Sequence, residues 1–242
     1  MTALNTIMAD TLVQFKKDVD AHIEKGEKKE IAIMHVIREY IVASEKILFE
    51  GDGYSEAWEK EAKRRGLPNV KTTPLALDAM VTDKAKHLFE SNQVYSHTEL
   101  EARHEIELEK YIKKVQIESR MMGELATSHV LPPAIRYQNL LANNIRGLKE
   151  AGLKATAYAN QLQILETISG HIQQVSDGVE QMIEARKKAN QLSNTRDKAI
   201  AYQRDVKDAF FDTVRYHVDK LELLMDDREW YLPKYRELLF LR

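Results

Sequence analysis

Cysteine is absent from the 242 residues, which removes disulfides, thiolate nucleophiles and every zinc or iron–sulfur site built on thiolates. Any metal site must draw on His, Asp and Glu. Glycine and proline are scarce, 9 and 5 in the whole chain, so tight hairpins are few and an all-β fold is disfavoured. No excess of one charge exists: 36 Lys and Arg oppose 38 Asp and Glu, a formal net charge of -2. A global basic field for nucleic acid or an anionic membrane is thereby excluded, and no such partner is expected. No apolar run is long enough for a membrane span. Residues 1 to 30 also lack the basic start and apolar stretch of a signal peptide, so the expected location is the cytoplasm.

What is present is helical periodicity. Leu4, Ile7, Met8, Leu12, Phe15, Val19 and Ile23 recur at steps of three and four, a stripe that predicts a helix ending at Gly26. Ile33, Met34, Ile37, Tyr40 and Ile41 mark a second helix. Gly51-Asp52-Gly53 is an irregular loop, after which Ser55 is placed to cap a short helix containing Trp58. Thr73 followed by Pro74 reads as the cap and first residue of another short helix, and Asp83 to Glu90 reads as one more. Ser96 with Glu99, or Thr98 with Glu101, has capping-box spacing, so a long helix is expected to start there, to run to about Ser128 and to stop before Pro132-Pro133.

From Leu153 to about Leu192, Leu165, Ile168, Ile172, Val175, Val179 and Met182 alternate by three and four, a coiled-coil seam. Ser193-Asn194-Thr195 is a turn, and Ile200, Phe210, Val214, Leu221 and Leu224 line a returning helix. The predicted fold is therefore all-α, a helical bundle with a long antiparallel helical hairpin in the C-terminal third. The expected division is residues 1–152, a helical region with the Gly-Asp-Gly loop, and residues 153–242, the hairpin with an aromatic tail. Trp230, Tyr231, Tyr235, Leu238, Leu239 and Phe240 are too dense in that tail for a free terminus, which is expected to dock.

Catalytic constellations are missing. Glu101-Ala-Arg-His104 has the Glu-x-x-His spacing of carboxylate-bridged di-iron bundles, but no second copy occurs and an ordinary half-buried His is the better reading. The Phe49 to Tyr54 loop lacks the lysine and glycine spacing of a P-loop. The eight His are scattered, none paired on one helical turn, and no nucleophile elbow occurs. The basic clusters Lys60 to Arg65 and Arg186 to Lys188 read as solvated helix faces. No residue is assigned as catalytic, cofactor-binding or metal-ligating.

Phe49-Glu50-Gly51-Asp52-Gly53-Tyr54-Ser55-Glu56-Ala57-Trp58, Arg64 to Asn69, Lys71-Thr72-Thr73-Pro74, Glu105 with Glu109-Lys110-Tyr111, Leu131 to Gln138 and Trp230 to Phe240 together resemble, in order, the C-terminal part of type III glutamine synthetase. Leu4-Asn5-Thr6-Ile7-Met8-Ala9 resembles the helix that follows the last strand of that family's catalytic barrel. The resemblance implies a family that ligates ammonia to glutamate at the expense of ATP, with divalent metal such as Mg, in ring-shaped homo-oligomers. It also places that family's metal carboxylates, nucleotide contacts and substrate arginines upstream of Leu4. The chain is thus expected to be a non-catalytic fragment, inactive alone and without cofactors of its own. Its expected partners are an upstream catalytic domain and neighbouring subunits, and part of its first apolar stripe is expected to lack cover. The alternative is an independent helical scaffold or adaptor that grips partner helices through the Leu165 to Met182 seam.

Overall fold

The computed structural model describes residues 1–240, and every regular element among them is helical. The predicted all-α class is what the structure shows, hairpin included. Internal contacts divide the chain into two units, Met1–Glu107 and Leu108–Arg242.

In the first unit, α1 (Thr2–Glu24) and α2 (Lys29–Ala43) form a helical hairpin. Gly26 at φ +96° takes the left-handed conformation that ends α1, a position favouring a residue without Cβ. The shared core is small: Val19, Ala32 and Val36, with Phe15, Ile33 and Tyr40 against them. Phe15 and Tyr40 meet edge to face at 5.7 Å, and the Tyr40 hydroxyl donates to Asp18 Oδ2 at 2.8 Å. α3 (Glu56–Arg64) starts as the sequence predicts, with Ser55 Oγ accepting from the Trp58 N–H. α4 (Thr73–Leu77) carries Pro74 in its first turn, one residue later than expected because Thr72 is the cap. α5 (Asp83–Ser91) is capped by Thr82 and packs on α1. The Ser96–Glu99 box forms at the head of α6 (His97–Leu125): Glu99 Oε2 accepts from the Ser96 N–H at 2.8 Å and Ser96 Oγ from the Glu99 N–H at 3.3 Å.

The second unit corrects the expected proline stop. α6 does not end at Pro132-Pro133; it passes through a π-helical turn, Ala126–Val130, directly into α7 (Leu131–Glu150). The Leu131 N–H bonds Ala126 O, the wide five-residue step. Widening relieves the clash that a proline ring makes with the carbonyl four residues back, and both prolines lie in the first positions of α7, where their missing N–H groups cost least.

α8 (Ala159–Asn190) is the outgoing arm, 32 residues and roughly 48 Å long. It begins after a short 3-10 turn, Ala155–Ala157, later than the expected Leu153. Asn194 caps the return, its Oδ1 accepting from the Asp197 N–H at 2.9 Å. The return consists of α9 (Thr195–Ala201), a second π segment (Tyr202–Phe211) and α10 (Asp212–Leu224). α8 packs against α7 as well as the return arm. Gly178 permits the α8–α10 approach: a Cβ there would sit 2.9 Å from Val214 Cγ2.

Both π segments fall on apolar repeats of constant step four: Met122, Ala126, Val130, Ala134, and Tyr202, Val206, Phe210, Val214, Val218. In an α-helix that step drifts about 40° per repeat and would carry the stripe off the core. A wider turn keeps it inward. Ile168, Val175 and Val179 join Ala126, Val130, Val214 and Leu221 in one continuous core.

Candidate functional site

The motifs weighed in the sequence take up structural duties. Glu101 accepts from Lys86 Nζ at 2.7 Å, whereas the His104 ring faces Asp78, with Nε2 3.4 Å from Oδ1 but misaligned for a hydrogen bond. The two residues of the Glu-x-x-His pattern therefore serve different partners. In the Gly51–Tyr54 loop, Asp52 Oδ1 accepts from the Tyr54 N–H at 2.9 Å and the Asp52 carbonyl accepts from Ser55 Oγ at 2.7 Å, a side-chain-braced turn. Gly51 leaves room for Phe49, whose ring would lie 2.9 Å from a Cβ, and Phe49 packs on Trp58 at 4.5 Å.

Arg65 ties the segment ahead of this loop to α3. Its Nη1 donates to the carbonyls of Lys46 and Leu48 at 3.2 and 2.6 Å, its Nε to Glu61, and its guanidinium lies over the Trp58 ring. Hydrogen bonds from Arg64, then Arg65, pull the Glu61 carboxyl down to about 2. Arg65 is thus an internal fastener, while Lys60, Lys63 and Arg64 keep the solvated face expected of this cluster. Among the described residues, no nucleophile and base converge on the loop.

The seam from Leu165 to Met182 is filled from within the second unit, with Ile168 and Val175 wholly buried. The aromatic tail docks as expected through its first half: Trp230 is buried and Leu232 packs beside it. Lys234, 9% exposed, donates to the carbonyls of Glu222 at 2.9 Å and Met225 at 3.4 Å and pairs with Asp227 at 2.6 Å. Leu239 and Phe240 stay exposed. An apolar groove of about 570 Å³ lies beside the tail, lined by Met122, Val130, Val214, Val218 and Trp230, with Arg215 and Glu222 at its edge. Its chemistry is that of a packing surface.

Two groupings had no linear signal. His171 and His217 face each other across the hairpin with Nδ1 atoms 2.9 Å apart, so one ring donates and the other accepts. Burial, then His217 and Lys220, holds His171 below the usual histidine range. In the first unit, Glu27 reaches two rings at once: Oε1 lies 3.0 Å from His22 Nδ1 and Oε2 3.0 Å from His35 Nδ1. His22, then His35, lowers the Glu27 carboxyl below its ordinary value. These residues belong to α1, a turn and α2, and a search for His pairs on one helical turn passes over them.

The first unit also leaves apolar surface uncovered. Leu4, Met8 and Leu12 of α1 are 69%, 61% and 60% exposed, and Ile31, Met34 and Ile41 of α2 are similarly open. Among the described residues no helix is long and apolar enough to cross a membrane.

Residues 32–149 match the family model of the glutamine synthetase C-terminal domain. The chain resembles the C-terminal region of type III glutamine synthetase. A glutamine synthetase of Bacteroides fragilis is 43% identical over 99% of the chain, and a type-3 glutamine synthetase of Dictyostelium discoideum is 30% identical over 99%. A glutamine synthetase of Butyrivibrio fibrisolvens is 28% identical over 89%. The chain spans about a third of the length of these glutamine synthetases, 33%, 33% and 30% respectively.

Proposed function

We propose that the chain is a non-catalytic helical part of a type III glutamine synthetase, an enzyme joining ammonia to glutamate with ATP and Mg²⁺, and that it works by packing. The observation that carries this reading is the exposure of Leu4, Met8 and Leu12 on α1 and of Ile31, Met34 and Ile41 on α2. Exposed apolar area of this kind marks a surface built to be covered. The cover is the catalytic part supplied by the remaining two thirds of such an enzyme, and the assembly is a cytoplasmic homo-oligomer. The scaffold alternative loses its main support, because the seam it required is filled within the chain.

The purified chain, given glutamate, ammonia, ATP and Mg²⁺, is expected to form no glutamine. Glutamine formation by the chain alone would overturn the reading. Co-expressed with the remainder of a full-length relative's sequence, it should co-purify as a complex, and Leu12→Asp should disrupt that complex while leaving the helical circular dichroism unchanged. Unaltered assembly of the variant would count against the stripe.

A further inference from the structure

The turn between α1 and α2 places three ligating groups together. Gly26 ends α1, and the following Glu27 N–H bonds back to the His22 carbonyl at 3.3 Å, which folds the Glu27 side chain across the last turn of α1. His35, on the second turn of α2, meets it from the other side. The carboxylate is thereby held between two Nδ1 atoms at 3.0 Å each, and one donor atom from each of the three residues lies within 4.8 Å of the others. The rings stand edge to face with centroids 5.8 Å apart. Ligand atoms around a tetrahedral zinc ion are separated by about 3.4 Å, so the present spacing needs small side-chain rotations.

A second observation favours a cation. Glu39, one helical turn beyond His35, lies 3.9 Å from His22 Nε2. When a metal takes the Nδ1 lone pair, the ring proton resides on Nε2, and Glu39, which makes no hydrogen bond at 3.9 Å, would close on it as the outer partner that fixes the tautomer. The site also has a firm base and an entrance: Val19, Ala32 and Val36 pack the hairpin, while the three ligands are only partly covered.

We propose that His22, Glu27 and His35 bind a divalent transition-metal cation, zinc by preference, with water completing the coordination, so that the ion clamps α1 to α2. Two imidazoles and one carboxylate suit zinc and its first-row neighbours. Mg²⁺ and Ca²⁺ require more oxygen donors and are not bound here.

Isothermal titration of the metal-free full chain with ZnCl₂ should show one ion per chain, and MgCl₂ should give no binding heat. His35→Ala and Glu27→Gln should each weaken zinc binding about a hundredfold or more, and Glu39→Gln about tenfold. Cobalt(II) should develop the visible absorption of a four-coordinate site, which His35→Ala abolishes. Circular dichroism of each variant verifies that the fold persists. Absence of zinc uptake by the chain, or undiminished uptake by a folded His22→Ala/His35→Ala double variant, would overturn the proposal. Failure here leaves the packing role untouched, because the glutamine synthetase and co-purification assays do not depend on this ion.

Discussion

The two units use apolar residues differently. In residues 108–240, Ile168, Val175, Val214 and Leu221 meet at 0–1% exposure in one continuous core, and even the tail contributes Trp230. In residues 1–107 the α1–α2 core holds three buried residues, while an equally apolar set on the same two helices faces outward. Amphipathic periodicity is the same in both and says only that a face is to be covered, not by what. The second unit covers the seam of its hairpin, though Ile117, Leu223, Leu239 and Phe240 stay open; the first is consistent with a surface completed elsewhere.

That contrast is most directly tested by truncation. Ile168→Ala should cost about 2–5 kcal/mol in urea unfolding, the range for emptying a packed site, and a cost below about 1 kcal/mol would mean that the hairpin core is loose. Lys234→Met should cost about 1–3 kcal/mol, since it strips the Glu222 and Met225 carbonyls of their donor; an unchanged unfolding midpoint would show the tail to be an appendage.

Acid should also act on the second unit. His171 has a folded pKa below its unfolded value, so as pH falls through about 6.5 the unfolded chain takes up its proton first and the hairpin loses stability. The melting temperature should drop between pH 7.5 and 5, and His171→Asn should flatten that dependence; an equally steep curve in the variant would assign the loss to other groups. The smallest effect is expected from Leu12→Ser, within about 0.5 kcal/mol for the chain alone, because Leu12 is 60% exposed. A large destabilisation would erase the distinction between the units.

Much of this architecture was legible in the sequence because it is local. Ser55 caps the helix its position assigns to it, the Ser96–Glu99 register of the two offered caps α6, Asn194 caps the return from the expected turn, and the Leu165 to Met182 seam marks the hairpin arm. Pro132-Pro133 misled because the local preference for a stop is outweighed by a stripe, Met122 to Ala134, that gains burial only if the helix continues with a wider turn. The His22–Glu27–His35 grouping was hidden because its members meet through the reversal at Gly26. Exposure of Leu4 and Leu12 followed from the resemblance and not from periodicity, which reads covered and uncovered stripes alike.

The wide turn at Ala126–Val130 also sets the phase of everything after it. Ordinary winding with the full residue count, or one further residue inserted there, would rotate α7 by about 100° and aim Ala134 and Leu141 at water, whereas removing the surplus residue together with the wide turn would leave the phase of α7 nearly unchanged. One surplus residue is thus absorbed without loss of phase, and at this point the removal of a residue is borne better than the addition of another.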